Sequence, residues 1–574
     1  MSSFRVWAPA AASVELALAG ERLAMEPVGG GWYEVHPALA RAGSDYRFVV
    51  DGGDQLPDPR SPWQPAGVHG PSRTVDHTAF PWSDGAWRGI HLPSAVVYEL
   101  HVGSFSPEGT FDGAIGRLDH LVDLGVDVVE LLPVGEFPGR WGWGYDGVDL
   151  YAPHHGYGGP DGLKRLVDAC HGRGLAVALD VVYNHLGPAG NYLARFGPYF
   201  TDRYTTPWGP AVNLDGPGSD EVRAFFVDNA VMWLRDYHID GLRLDAVHGF
   251  VDTSAVHLLE ELGVRAEQLA ASLGRSLFLI AESDLNDPRV VERREVGGYG
   301  MDAQWSDDFH HALHTVLTGE RDGYYSDFGT LAQLATALER AFAYAGEHSA
   351  HRGRRHGRPI GELRAYRFLG YLQNHDQVGN RAAGERSGSL MSIGRLKVGA
   401  ALVLTAPFIP MLFQGEEWGA TTPFQYFTDH DDAGLGRAVS EGRRREFASF
   451  GWDPKDVPDP QDPATFERSR LDWSEVEAEV HREVLDWHRR LIRLRRQEPA
   501  LSQGFEGLHV SYDEQALWLL VERGPVAVAC NLGPTATTLP VAGELMMASD
   551  AAVSLDGDGI VLPPNTVGIV RSHA

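Results

Sequence analysis

Leu175-Ala176-Val177-Ala178-Leu179-Asp180-Val181-Val182 is an apolar run of strand length with an acid near its end, and Tyr183-Asn184-His185 follows at once. A strand that is apolar on both faces is covered on both sides, the condition of a parallel sheet wrapped by helices. The same grammar recurs in seven more runs: Val96–Leu100, Val126–Leu132, Gly241–Leu244, Leu277–Ala281, Met301–Trp305, Tyr366–Leu372 and Phe408–Phe413. Helical patterns lie between them, among them Leu118–Leu124, Gly162–His171, Glu221–Tyr237 and Ile393–Leu404, and an amphipathic segment, Val476–Leu494, follows the last. Eight βα units predict a closed (β/α)₈ TIM barrel, whose active site sits at the carboxyl ends of the strands.

Outside this stretch the pattern is different. Residues 1–88 hold short strand-like segments, Phe4–Trp7, Ser13–Leu18, Trp32–Val35 and Tyr46–Val50, separated by Gly, Pro and Asp turns, which predicts an N-terminal β-sandwich. The Pro- and Gly-rich stretch from Asp51 to Asp76 reads as loop. Beyond residue 500 the chain returns to β in Gly507–Tyr512, Ala516–Val521, Val526–Asn531 and Val567–Ile569, a small antiparallel domain. The expected organisation is multidomain α/β: sandwich 1–88, barrel 89–500 and C-terminal β domain 501–574.

Composition narrows the function. A chain of 574 residues is long enough for two to four domains, and 43% hydrophobic residues supply a sizeable core. A formal net charge of −29 argues against nucleic acid and against anionic membranes as partners, because phosphate binding wants a basic surface. A neutral polar ligand such as a sugar suits this balance. The two cysteines, Cys170 and Cys530, fall in different domains and read as reduced, buried and structural. Met1-Ser2-Ser3-Phe4-Arg5-Val6-Trp7 has no basic region followed by an apolar run, and no stretch of about 18 apolar residues occurs, so a soluble cytoplasmic protein is expected.

The acids at the strand ends carry the chemistry. Arg243 and Asp245 close the run Gly241–Leu244, Glu282 follows Phe278-Leu279-Ile280-Ala281, and His375 and Asp376 follow Tyr366–Leu372 in Gln373-Asn374-His375-Asp376-Gln377. In a barrel all of them converge on one mouth, together with Asp180 and His185. Positions i and i+2 of a strand face the same way, so Arg243 and Asp245 share a space, and a guanidinium there keeps the carboxylate ionised. Glu282 ends a wholly apolar run, where desolvation favours the protonated acid. Two carboxyl groups in unlike environments are what glycosidic cleavage requires. The residues alone leave hydrolysis, group transfer and metal-assisted chemistry open, and a lone strand-end acid is more often a cap than a catalyst.

Four segments resemble the α-amylase superfamily: Asp180–His185, Gly241–Asp245 with Ala246-Val247-His248, Glu282 after its apolar strand, and Asn374-His375-Asp376. The resemblance implies Asp245 as nucleophile, Glu282 as acid/base and Asp376 as stabiliser of the transition state. It also implies that Arg243, His185 and His375 bind the sugar at the cleaved bond and that Tyr145, in Trp143-Gly144-Tyr145-Asp146, stacks on it. Phe4-Arg5-Val6-Trp7-Ala8-Pro9 looks like the β domain that precedes the barrel in branching and debranching relatives. Further segments are most similar to the maltooligosyltrehalose trehalohydrolase family: Tyr98–Phe105, Trp305–His311, Asn374–Arg381 and Gln414–Trp418. Branching enzymes usually carry Glu where this chain has Gln377.

That resemblance implies an endo-acting, retaining hydrolase that cuts the α-1,4 bond next to the terminal trehalose of maltooligosyl trehalose, with a maltooligosyltrehalose synthase as pathway partner. A glycogen-branching or debranching enzyme and a non-catalytic glucan-binding protein are the competing readings. Trp208, Trp305 and Asp308 are the candidates for the trehalose end. No cofactor and no metal are expected. Asn184 occupies a place that binds calcium in many amylases, yet the further carboxylates of such a site are not evident. His310 and His314 stand i, i+4 without a third ligand, and with His311 they read as surface or sugar-facing. The basic patch His351-Arg352-Gly353-Arg354-Arg355-His356 reads as a solvated loop.

Overall fold

The computed structural model describes residues 3–448, 457–557 and 559–572; Met1 and Ser2, on which the reading of the amino terminus also rests, lie outside them. Eight parallel strands close a barrel: β1 (Val97–Leu100), β2 (Val128–Leu131), β3 (Ala176–Val181), β4 (Gly241–Leu244), β5 (Phe278–Ala281), β6 (Ala303–Trp305), β7 (Phe368–Gly370) and β8 (Ile409–Phe413). Each lies inside, or largely inside, one of the eight apolar runs. The (β/α)₈ expectation therefore holds, with one irregularity. The connection from β5 to β6 has no α-helix, only the short 3₁₀ turns Pro288–Val290 and Arg294–Val296.

Strand parity decides what faces the barrel axis. Val97, Val128, Ala176, Ala178, Phe278, Ile280, Ala303, Trp305, Leu369, Tyr371, Ile409 and Met411 pack together as the barrel interior. Two residues further along each strand the same face carries Glu99, Glu130, Asp180 and Glu282, while Arg243 and then Asp245 occupy the upper positions of β4. The apolar interior thus ends upward in a layer of charged groups. Helices cover the outside. Glu479–Gln497 is typical, burying Val484, Leu485, His488, Leu491, Ile492 and Arg495 on one stripe.

At the amino terminus two antiparallel sheets face each other. One holds Phe4–Trp7, Trp32–Val35 and Glu26–Gly29; the other is built on Glu21–Ala24, Val14–Leu18 and Asp45–Val50. Phe4 and Tyr46 meet between them edge to face at 4.8 Å. The stretch read as pure loop contributes two short strands, Gln55–Leu56 and Ser72–Arg73, to the second sheet. Beyond the barrel a five-stranded antiparallel sheet packs on a three-stranded one through Leu520, Ala529, Leu539, Ile560 and Val570. Cys170 and Cys530 are free and buried. Among the described residues no helix is long and apolar enough to cross a membrane.

Candidate active site

A cavity of about 660 Å³ opens at the carboxyl ends of the strands. Its walls include Tyr145, His185, Trp208, Arg243, Asp245, Glu282, His375 and Asp376, eight of the residues singled out from the sequence. Trp305 and Asp308 are not among its lining residues.

Arg243 is the hub. Its Nη1 donates to Asp180 Oδ2 at 2.7 Å and to Asp245 Oδ1 at 2.9 Å, and its Nη2 lies 2.9 Å from Glu282 Oε2. One guanidinium on β4 therefore gathers acids from the ends of β3, β4 and β5. Its own side chain is only 1% exposed, so these contacts operate with little solvent screening.

The backbone beside Asp245 is bent to serve Glu282. Ala246 adopts φ +37°, a left-handed conformation costly for a residue with a Cβ. That turn aims its N–H at Glu282 Oε2, 2.8 Å away. Oε2 thus accepts from Ala246 and stands in ion-pair contact with Arg243, which leaves Oε1 as the oxygen able to carry a proton. Burial pushes the Glu282 carboxyl above the ordinary glutamate range, against the pull of Arg243.

Asp376 stands in the first turn of a short helix, His375–Gly379, capped by the Asn374 side chain on Gln377 N–H. Its Oδ1 accepts from Asn380 Nδ2 at 2.7 Å, and burial raises its carboxyl as well. His375 Nδ1 meets Glu99 Oε1 at 2.6 Å, and its Nε2 lies 2.8 Å from Tyr145 Oη. Tyr145 donates to Asp180 Oδ2 at 2.5 Å and stacks on the His375 ring at 5.3 Å. Two glycines let the loop that carries this tyrosine pack closely. Gly144 holds φ +99°, and a Cβ there would come 2.3 Å from Pro133 O; a Cβ on Gly379 would lie 2.0 Å from the Trp143 ring.

His185 donates from Nε2 to Tyr145 O at 3.0 Å and stacks on Trp208 at 5.2 Å with planes only 9° apart. Trp208 comes from a hairpin, Phe200–Thr206 with Gly209–Val212, and is 42% exposed, an open aromatic face at the rim.

The two remaining candidates for the trehalose end point elsewhere. Trp305 is 1% exposed and belongs to the barrel interior, under Arg243. Asp308 accepts from Asn286 Nδ2 and Tyr344 N at 2.9 and 2.8 Å, so it ties loops together behind the cavity. Its neighbour Asp307 does line the cavity, with Tyr371 donating to it at 2.5 Å. Burial, with Glu282 adding to it, pushes Asp307 up to about 8.

The basic patch is only partly a solvated loop. Arg354 and Arg355 are exposed, but His351 and Arg352 line the cavity, where Arg352 pairs with Asp284 at 2.9 Å. Neither was marked by the sequence, because a run of arginines and histidines reads as solvated unless its long-range partner is known. Glu99 and Glu130 were also missed, although strand parity places both in the interior.

No metal-ligand set stands out in this cavity among the described residues. His310 spends Nδ1 on Leu372 O and Nε2 on Tyr325 Oη, and His314 pairs with Glu320, while His311 faces the cavity. Asn184 turns Oδ1 to His185 Nδ1 at 3.0 Å. Glu136, His154 and His155 lie close enough together for an ion. His154 Nδ1, however, accepts from Gly156 N–H, which puts its proton on Nε2, toward Gly139 O. The nitrogen that would bind an ion is already protonated.

Comparison with known proteins bears on this arrangement. Residues 74–202 match the catalytic domain of α-amylases, and residues 503–569 match a domain of unknown function. Malto-oligosyltrehalose trehalohydrolase of Rhizobium sp. (strain M-11) is 51% identical over 99% of this chain and 97% of its own. The enzyme of Arthrobacter ramosus is 52% identical over 97% and 99%. The chain belongs to the malto-oligosyltrehalose trehalohydrolase family. A crystal structure of a putative α-amylase from Salmonella typhimurium, 39% identical, superposes with a TM-score of 0.92, covering 100% of this chain and 97% of that one. A glucan branching enzyme of Nitratidesulfovibrio vulgaris is 38% identical, but over 54% of this chain and 55% of its own, so the likeness to trehalohydrolases is the more extensive.

Proposed function

We propose that the protein hydrolyses the α-1,4 bond next to the terminal trehalose of maltooligosyl trehalose and releases free trehalose. The full-length likeness to trehalohydrolases carries this reading, and the grouping of Asp245 and Glu282 on the one guanidinium of Arg243 supports its chemistry. In this reading Glu282 gives the proton on Oε1 to the glycosidic oxygen while Asp245 Oδ2 attacks the anomeric carbon. Trehalose leaves, and a glucosyl ester forms on Asp245. Glu282, now ionised, takes a proton from water, whose oxygen enters on the face trehalose left and frees the carboxylate. Asp376 hydrogen-bonds the hydroxyls of the distorted sugar. Tyr145, His185, Arg243 and His375 hold that sugar, and Trp208 offers its ring at the rim. These steps are assigned wholly to side chains and water.

The units 1–88, 89–500 and 501–574 are proposed as the sandwich, catalytic and C-terminal domains. A cytoplasmic setting and a maltooligosyltrehalose synthase as supplier of the substrate complete the proposal. Incubation with maltooligosyl trehalose and identification of the sugars released tests it. Free trehalose is expected; a change in α-1,6 branching without trehalose would favour the branching alternative, and no turnover would favour a glucan-binding protein.

A further inference from the structure

Glu99 lies below the cavity, 1% exposed and outside any role assigned so far. It projects from β1 toward the barrel axis, and its register partner on β2 is Glu130. Both carboxylate oxygens of Glu99 are committed to one residue of another strand's loop. Oε2 accepts the His375 backbone N–H at 2.8 Å, and Oε1 meets His375 Nδ1 at 2.6 Å.

The protons of this group can be counted. Asp180 Oδ2 accepts from Arg243 Nη1, so that oxygen carries no proton, and the Tyr145 hydroxyl must donate to it. Tyr145 has one proton. Its oxygen therefore faces His375 Nε2 as an acceptor, and Nε2 must be protonated. Nδ1 in turn faces Glu99 Oε1 at 2.6 Å, and with that oxygen as a carboxylate acceptor both ring nitrogens are donors.

We infer that Glu99 is a positioning residue that fixes His375 as an imidazolium and, through it, locks the Tyr145 ring against which the sugar at the cleaved bond packs. This rests on the glycosidase reading of the site. The chain of contacts runs Glu99, His375, Tyr145, Asp180, Arg243, so one end is anchored on β1 and the other on β4. It explains an otherwise unused buried acid at the floor of the cavity.

The surroundings agree. The charged and titratable groups that face His375 are Glu99 from β1, Glu130 from β2, Asp180 from β3, Arg243 from β4, Glu282 from β5, Asp376 beside it, and Tyr145 and His101 from neighbouring loops. Burial pulls the imidazolium down, but Glu99 and then Asp376 outweigh it and raise His375 to about 9. Glu130, its neighbour on β2, is itself driven well up by burial and then by the charge of Glu99.

Glu99→Gln separates charge from shape. Its amide oxygen can accept the His375 N–H, and its amide nitrogen can donate to Nδ1 of a neutral imidazole. The fold and the contact to Tyr145 then survive while the cation is lost. Two readouts follow, both on the full chain. In wild type labelled with ¹³C-histidine, the His375 signal, assigned by its absence in His375→Asn, is expected to be that of an imidazolium at neutral pH. In Glu99→Gln its titration is expected to fall by about two pH units or more. The second readout is the ratio of wild-type to variant kcat across pH. A purely structural defect gives a constant ratio, whereas loss of the cation gives a deficit about tenfold larger near pH 8 than near pH 5.5.

A neutral imidazole in wild type, with Glu99 holding the proton, overturns the proposal, and that measurement stands even if the variant does not fold. An unshifted His375 titration in Glu99→Gln overturns it as well. Failure of the glycosidase reading is seen separately, as full activity in Asp245→Asn or Glu282→Gln.

Discussion

Trp305 forms the floor under Arg243, its ring centroid 4.2 Å from the guanidinium carbon. The guanidinium is pinned from below by an aromatic face and from the sides by Asp180, Asp245 and Glu282. A planar, weakly hydrated cation suits that place; an ammonium does not. Arg243→Lys is therefore expected to lower kcat by about a hundredfold or more, because a point charge cannot span three carboxyl groups. Trp305→Ala is expected to slow trehalose-capped and plain maltooligosaccharides by the same factor, since the ring supports the clamp and does not border the cavity. Comparison of kcat/KM on the two substrates checks this. A selective loss on the capped substrate would return Trp305 to the leaving-group end.

The two carboxyl groups proposed to react, Asp245 and Glu282, should separate by their response to the leaving group. Asp245→Asn takes away the proposed nucleophile and is expected to cost on the order of 10⁴ in kcat on any substrate. Glu282→Gln takes away the proposed acid and is expected to cost about 10²–10⁴ on the natural bond, but far less on an activated aryl glycoside that departs without protonation. The first sugar released from the non-reducing side should be the α-anomer when followed by NMR. Release of the β-anomer would show inversion and exclude Asp245 as nucleophile.

Asp307 gives a test of the electrostatics through stability. Its carboxyl is raised to about 8 by burial, with Glu282 next, so the folded chain binds a proton there that the unfolded chain releases near pH 4. The cost of ionising it in place is absent below the unfolded value, grows as pH rises from there, and is fully present above about 8. Asp307→Asn should relieve that cost. It is expected to add about 1–3 kcal/mol of stability near pH 8 and close to nothing near pH 4. Thermal melts of the two proteins at both pH values measure it. Equal differences at both would mean that solvent, not protein, surrounds this carboxyl.

How far the sequence reaches depends on the kind of contact. The barrel was legible because its strands are covered on both faces and read as unbroken apolar runs closed by acids, such as Leu175–Asp180. The convergence of Asp180, Arg243, Asp245, Glu282 and Asp376 follows from that topology alone. Orientation within a motif was harder. In Trp305-Ser306-Asp307-Asp308 the tryptophan falls on the inward face of β6, beneath the charged layer. The two acids begin the helix Asp307–Thr318 about 100° apart around its axis, so one faces the cavity and the other the loops behind it. Parity could have assigned Trp305 and Glu99 to the interior. Nothing local could have assigned Arg352, whose place is set by Asp284, 68 residues away.

Substrate choice is expected to lie in that distant pair and in Trp208. In the proposed mechanism the acids and the Arg243 clamp act on the sugar at the cleaved bond and treat any α-1,4 bond alike, so preference has to come from what holds the leaving group. Asp284 follows Glu282 by two residues, and Arg352 reaches it from the hairpin His348–Ser349 with Arg354–Arg355, so the ion pair lies on the acid's side of the cavity. Trp208, stacked on His185, presents an exposed ring nearby. A 1,1-linked disaccharide turns its second ring differently from an α-1,4 unit. Polar groups placed for its hydroxyls are left unpaired when maltose takes the same position, at about 1–3 kcal/mol for each mismatch. Two such mismatches give a preference of about a hundredfold for the capped substrate of equal length. Arg352→Ala and Trp208→Ala are expected to erode that ratio by about tenfold each while slowing the plain oligomer little. Asp308→Ala, which frees Tyr344 and Asn286, is expected to lower the melting temperature and leave the ratio in place. The measurement is kcat/KM for capped and plain substrates in each variant. Equal values for the two substrates in the wild type would sink the trehalose-specific reading, and an unchanged ratio in both Arg352→Ala and Trp208→Ala would move the leaving-group site to another wall of the cavity.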